Sequence, residues 1–200
     1  MRVTTETKRA TRRRILDAGR RLFGTHGFEA TTTRDLAQAA RIATGTLFNY
    51  FESKESLATA LVAEALTTAQ AEFDAKRDAA TSLEEALFLF VATGLRHLEP
   101  CRGYVDAVLE TSLSPFARAD SLASGQDLRA DHLQVVDALV RGHAASSAET
   151  GTVRLHLYWS LYVGVLAFWS ADPSPHQEDS LAVLDEAVRL FVRSLPAEPR

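Results

Sequence analysis

Apolar side chains recur every three or four positions along most of this chain, and no run alternates apolar and polar residues for long. That period belongs to amphipathic helices rather than half-buried strands. It predicts an all-α chain of about nine helices and no sheet. In the first, residues 7–25, one stripe holds Ile15, Ala18, Gly19, Leu22 and Phe23, while Arg12, Arg13, Arg20 and Arg21 lie largely off it. Gly27 ends the helix, because glycine readily takes the left-handed conformation of a closing turn. Two short helices follow, 33–40 and 44–50, parted only by Arg41-Ile42-Ala43, and Thr31 or Thr32 can cap the first of them. Ser53 caps a long helix that carries Leu57, Leu61, Ala65 and Leu66 toward Phe73 and Arg77.

The same pattern continues to the C-terminus. Two overlapping capping boxes in Thr81-Ser82-Leu83-Glu84-Glu85 open a helix to about His97, which Pro100 ends. A helix over 102–111 breaks at Ser114-Pro115, another spans 121–143, and residues 144–151 (AASSAETG) read as a loop. The last two helices, 152–170 and 177–195, are joined by ADPSPHQ. The first of these is apolar on most sides, with Leu155, Trp159, Tyr162, Leu166 and Trp169 on one stripe and Tyr158, Leu161, Val165 and Phe168 on another. Its apolar run, 155–169, reaches roughly 22 Å as a helix, short of a bilayer core of about 30 Å. It is expected to be buried in protein, with no role in a membrane.

Residues 31–51, TTTRDLAQAARIATGTLFNYF, stand apart. Helices this short are unstable alone in water and must borrow a core. Leu36, Ala37, Ala40, Ile42, Leu47 and Phe51 supply it, closed by Ile15, Leu22, Phe23 and Phe28. The result is a three-helix unit whose last two helices form a helix-turn-helix. Left facing outward on the third helix are Thr44, Gly45, Thr46, Asn49 and Tyr50. Small polar residues and a glycine suit close contact with a major groove about 12 Å wide. Arg34 adds a planar fork able to reach a guanine edge, and Lys54 adds a point charge. For any one of these residues, a plain solvated helix face is the alternative.

Charge sharpens the picture. The chain of 200 residues has a formal net charge of −4, yet residues 1–57 hold 11 Lys and Arg against 6 Asp and Glu, a net of +5. Residues 58–200 carry the opposite balance, a net of −9. A basic head faces a polyanion; an acidic body is repelled by one. Two domains follow from this division, a helix-turn-helix head over 1–57 and a helical body over 58–200. The composition, 46% hydrophobic and 24% charged, is that of a globular chain. One cysteine, Cys101, and a polar N-terminus without an apolar signal segment point to the cytoplasm.

Residues 8–57 resemble the N-terminal DNA-binding domain of the tetracycline-repressor (TetR) family of bacterial transcription regulators. The likeness rests on ILDAGRRLFGTHGFEATTTRDLAQAA followed by TGTLFNYFESKESL, without a gap. The resemblance implies an all-α homodimer, usually a repressor, whose heads sit in successive major grooves of a palindromic operator in double-stranded DNA. By that likeness Arg34, Thr44 and Thr46 fall where family members touch bases, and Thr33, Tyr50 and Lys54 where phosphates are held. Three residues depart from the pattern. Arg41 replaces a usual Gly, so the turn is either backbone-strained or different; Ala43 replaces a capping Ser; Phe48 replaces a Tyr whose hydroxyl often meets phosphate, and that contact is not carried over.

No specific likeness extends past about Ala65. The aromatic and histidine residues Phe88, Phe90, His97, Tyr104, Phe116, His132 and His143 lie between the head and the last two helices. Apolar bodies with polar tips suit either a core or a pocket for a partly apolar small molecule. The pocket candidates are Phe88, His97, Tyr104, Phe116, Trp159 and Tyr162. Dimer candidates on the last two helices are Tyr158, Leu161, Val165, Phe168, Leu184, Val188 and Phe191, which would pair with their symmetry mates as a four-helix interface; the alternative is that both helices simply close the core of a monomer. The scattered histidines give no metal-ligand spacing, and no nucleophile motif or phosphate-binding loop stands out. The reading is therefore a non-enzymatic regulator with a small-molecule effector and no cofactor. Its rivals are a carrier or enzyme with a similar head, and a regulator that answers no ligand.

Overall fold

The structure, a computed structural model, describes residues 5–78, 81–113, 123–143 and 150–196. Among them are nine α-helices and no strand. α1 (Thr5–His26) buries the expected stripe and stops at Gly27, whose φ is +83°. α2 (Thr33–Ala39) starts from Thr32, whose hydroxyl accepts the Asp35 amide while the Asp35 carboxylate accepts the Thr32 amide. Thr31, the other capping candidate, is buried and donates to the Gly27 carbonyl at 2.7 Å. Arg41 makes the turn with φ of +56°, in the left-handed region its missing glycine would occupy without strain. α3 (Thr44–Phe48) ends two residues earlier than its pattern suggests. Asn49 and Tyr50 instead form a tight turn, bonding to carbonyls three residues back.

α4 (Lys54–Lys76) joins head to body without a break. Ser53 and Ser56 cap its start reciprocally. Residues 56–62 are buried on every side, because this stretch passes beneath the head and into the body at once. The domain division expected at 57/58 thus falls inside a continuous helix. Gly19 of α1 lets the two helices approach closely: a Cβ there would lie 2.9 Å from Leu57 Cδ2. Two ion pairs reinforce the crossing, Arg20 to Glu64 at 3.0 Å and Arg12 to Glu64 at 3.7 Å.

The body comprises α5 (Leu83–Leu98), α6 (Arg102–Val108), α7 (Ala123–His143), α8 (Thr152–Ala171) and α9 (Glu178–Ser194). α5 is capped by Ser82 and packs between α4 and α9. Between α5 and α6 the chain takes a single tight turn through Pro100. α6 is shorter than the 102–111 expected, giving way to a widened turn over Leu109–Leu113. The Leu113 carbonyl there accepts the indole N–H of the fully buried Trp159, at 3.2 Å. α8 packs along α9 and against α6 and α7. Asp172 holds the α8–α9 connection, accepting from Ser180 and from the Ser174 amide, and these bonds keep its carboxyl below the usual range. The break at Ser114-Pro115, Phe116, and residues 144–149 of the expected loop lie outside the described residues. Among the described residues no helix is long and apolar enough to cross a membrane.

Candidate nucleic-acid interface and body cavity

The outer face of α3 is uncovered. Thr44, Gly45, Phe48 and Asn49 are exposed, and Thr46 and Tyr50 half-buried. A Cβ built on Gly45 would meet nothing within 4 Å, so the backbone itself can approach a partner. Leu47, on the opposite face, is buried and anchors the helix to the head core. On α2, Arg34 is exposed and Thr33 half-buried, both in the first turn. Ala43 precedes α3 with no side-chain cap, and Thr44 does not replace it. Lys54 is not a free charge: its ammonium donates to the Phe28 carbonyl at 2.8 Å and sits 4.1 Å from that ring's centroid. Two of its three N–H groups remain for other acceptors.

The sequence marks Phe48 only as a Tyr position that has lost its hydroxyl. Its ring is 47% exposed on α3, one turn from Thr44. The signal was present, since a large apolar residue among small polar ones on a solvent face asks for a contact.

Where head meets body, Phe23 of α1 and Phe28 enclose Tyr104 of α6, at centroid distances of 5.1 and 6.1 Å. This corrects Tyr104 as a pocket residue. It is a buried joint, its hydroxyl spent on Cys101 Sγ at 3.0 Å, and burial pushes its phenol upward in pKa. Cys101 is likewise buried, and desolvation raises its thiol.

An open-sided cavity of about 1440 Å³ runs from α1 across α4 and α5 to α7 and α8. Of the pocket candidates, His97 and Tyr162 line it; Phe88 and Trp159 do not. Phe90, Leu128 and His132 do. His132 is buried, its Nε2 is 2.9 Å from the Tyr158 hydroxyl, and its ring stacks on Tyr162 at 4.1 Å between centroids. Burial pushes its pKa down to about 3, so it stands there as a neutral imidazole. Desolvation also raises the Tyr162 phenol. At the other end of α5, the Glu72 carboxylate receives Lys76 at 2.6 Å, His97 at 2.7 Å and Arg96 at 2.8 Å. The bonds from Lys76, then His97 and Arg96, hold its pKa at about 2. Among the described residues no three His, Cys, Asp or Glu side chains group to hold a metal ion.

The dimer candidates need a correction as well. Tyr158, Val165, Leu184, Val188 and Phe191 are all buried within the subunit's own core and offer nothing to a partner. Only half-buried Leu161 and exposed Phe168 face outward. The outward apolar residues are Val153, Leu157 and Phe168 on α8 with Leu181 and Leu190 on α9. These are five of the seven exposed large hydrophobics among the described residues, so the surface apolar area described is concentrated on one helix pair. Gly164 lies on the same side, open enough that a Cβ would meet no atom.

A basic three-helix head with an uncovered second helix-turn-helix element, carried on a helical body, defines a helix-turn-helix regulator. Residues 15–61 match the profile of the bacterial regulatory proteins, tetR family. The chain is 34% identical over 157 residues to the HTH-type transcriptional repressor AcnR of Corynebacterium efficiens, covering 74% of each protein. It superposes on a TetR transcriptional regulator from Rhodococcus sp. RHA1 with a TM-score of 0.68 at 20% identity, covering 96% of this chain and 100% of that one. Thermus thermophilus FadR, a TetR-family repressor crystallised with lauroyl-CoA, gives a TM-score of 0.68 at 18% identity, over 94% and 97% of the two chains. The chain belongs to the TetR family of DNA-binding transcription regulators.

Proposed function

We propose that the protein is a homodimeric repressor that binds a palindromic operator and is released by a small, partly apolar effector. The observation that carries this reading is the open face of α3: Gly45 clear of every neighbour, Thr44 and Asn49 exposed, on a head of net charge +5. Arg34, Thr44 and Thr46 read base edges; Thr33, Tyr50 and the spare donors of Lys54 hold phosphates. Phe48 adds apolar contact with thymine methyl groups, a role the groove chemistry gives to such rings. The apolar outer face of α8 supports a two-fold interface, because Val153, Leu157, Leu161 and Phe168 recur at helical spacing along one side of that helix. Two heads on such a dimer would meet half-sites about one DNA turn apart, roughly 34–36 Å. The cavity beneath α1 supports the effector, since it is lined by both the head's first helix and the body.

The test is a salt titration on a duplex selected from random sequence by the purified protein. Arg34→Ala and Phe48→Ala should relax preference at separate positions, each by about 1–3 kcal/mol, the usual worth of a good base contact. Lys54→Ala should weaken all duplexes alike and flatten the salt slope. If none of the three changes affinity or selectivity, the face built by α2, α3 and the start of α4 does not meet DNA.

A further inference from the structure

The turn between α2 and α3 holds an arginine where the backbone asks for glycine. Two amides close the end of α2: the Arg41 N–H donates to the Gln38 carbonyl and the Ile42 N–H to the Ala37 carbonyl, both at 3.0 Å. This closure puts the residue just past the helix end in the left-handed region, and Arg41 has φ of +56°. Ala40 and Ile42 on either side pack into the head core, which fixes the turn in place. Glycine takes the left-handed conformation without steric cost, as Gly27 and Gly151 do elsewhere, whereas a side chain there is strained. The other two left-handed residues that are not glycine, His176 and Gln177, share one turn, which Gln177 fastens by bonding Trp169 and Glu99. Arg41 is exposed, and among the described residues its side chain has no hydrogen bond or ion pair. No side-chain contact within the subunit offsets its strain.

Charge gives the side chain a purpose. Residues 33–51, the whole helix-turn-helix, carry only three charged side chains, Arg34, Asp35 and Arg41. The Asp35 carboxylate is held by the Thr32 amide and hydroxyl at 2.9 and 2.6 Å, and Arg34 lies back in the first turn of α2. α3 itself has no charge, so the cation closest in sequence to its start is Arg41, three positions before Thr44. Beyond its other end stands Lys54, whose ammonium is already engaged by Phe28. A surface that holds a polyanion draws much of its affinity from cations set against phosphates. We infer that Arg41 is a phosphate-binding residue of the operator interface, kept at a left-handed site despite the strain and gripping the DNA backbone beside the start of α3. This rests on reading α3 as the groove-facing helix. Strain held at a binding surface is a recurring mark of function. A cation past the end of α2 also complements that helix's negative end, a structural role that DNA affinity does not register.

Salt titrations of the full chain, on a duplex it selects from random sequence and on a scrambled one, test the assignment with Arg41→Gly and Arg41→Lys. Arg41→Gly removes charge and strain together. It should raise Tm yet weaken binding to both duplexes by about fivefold or more near 0.1 M salt, and lower the salt slope by about 1 per subunit. Arg41→Lys keeps the charge on the same backbone and should hold the parent slope. Parent-like affinity and slope in Arg41→Gly would overturn the inference. So would a loss confined to the selected duplex, which would make Arg41 a reader of bases, or an equal loss in Arg41→Lys, which would mean that charge is not what binds. A parent that enriches no duplex would reject the DNA-facing reading of α3 and the inference with it, whereas a parent that binds no better than Arg41→Gly removes Arg41 alone.

Discussion

The head and the body of this protein use their polar groups in opposite directions. In the head the apolar residues close one small core, and the hydroxyls, amides and guanidinium of α2 and α3 are left at the surface, where Gly45 brings even backbone outward. In the body the surface apolar residues gather on α8 and α9, while a hydroxyl and a neutral imidazole are turned inward beside the cavity. A group that reads a large polyanion has to be outside; a group that recognises a small molecule works where water is scarce and hydrogen bonds are strong. The two regions are therefore expected to fail differently when altered.

The sharpest break is at the body's outer face. Phe168→Asp or Leu157→Asp should convert the proposed dimer to monomer in sedimentation and lower operator affinity by about 10²-fold or more, since the second half-site then binds without linkage. Unchanged sedimentation would separate this face from assembly. Next is pH. Because His132 has a folded pKa of about 3 against an ordinary 6.5, the unfolded chain binds the extra proton between those values. Its contribution is therefore complete above pH 6.5 and lost as pH falls toward 3, by at most about 1.4 kcal/mol per pH unit. His132→Gln should flatten acid destabilisation over that window in denaturant melts; an unaltered slope would mean the ring is not held neutral. The smallest effects belong to the head's turn. Ala43→Ser should restore the missing cap, and Arg41→Gly should relieve the left-handed residue, each adding about 1 kcal/mol of stability and raising Tm by about 2–4 °C.

The helices of the head were legible because their signals are local. Gly27, Thr32 and Ser53 each act within a turn of themselves, and the strain at Arg41 follows from the absence of glycine in a left-handed site. The body was harder to read for a physical reason. α8 is apolar nearly all round, so its period reveals a helix but not its rotation: of the stripe assigned to a partner, Tyr158 and Val165 are buried in the subunit's own core while Leu161 and Phe168 face outward. Tyr104 was misplaced for a related reason: only tertiary contact between α1 and α6 makes it part of a joint. Phe48 was legible in the sequence only as a missing hydroxyl, because the exposure of its ring depends on how α3 is rotated against the head core.

The unbroken course of α4 has a mechanical consequence. Its 23 residues form a rod roughly 34 Å long, rigid enough to act as a lever. A tilt of about 5° imposed at one end displaces the other by about 3 Å over that length. In a symmetric pair the two displacements add, so a rearrangement of a single rotamer's size deep in the protein becomes a misfit of several ångströms between the heads. Recognition by two rigidly spaced elements does not survive an error of that scale.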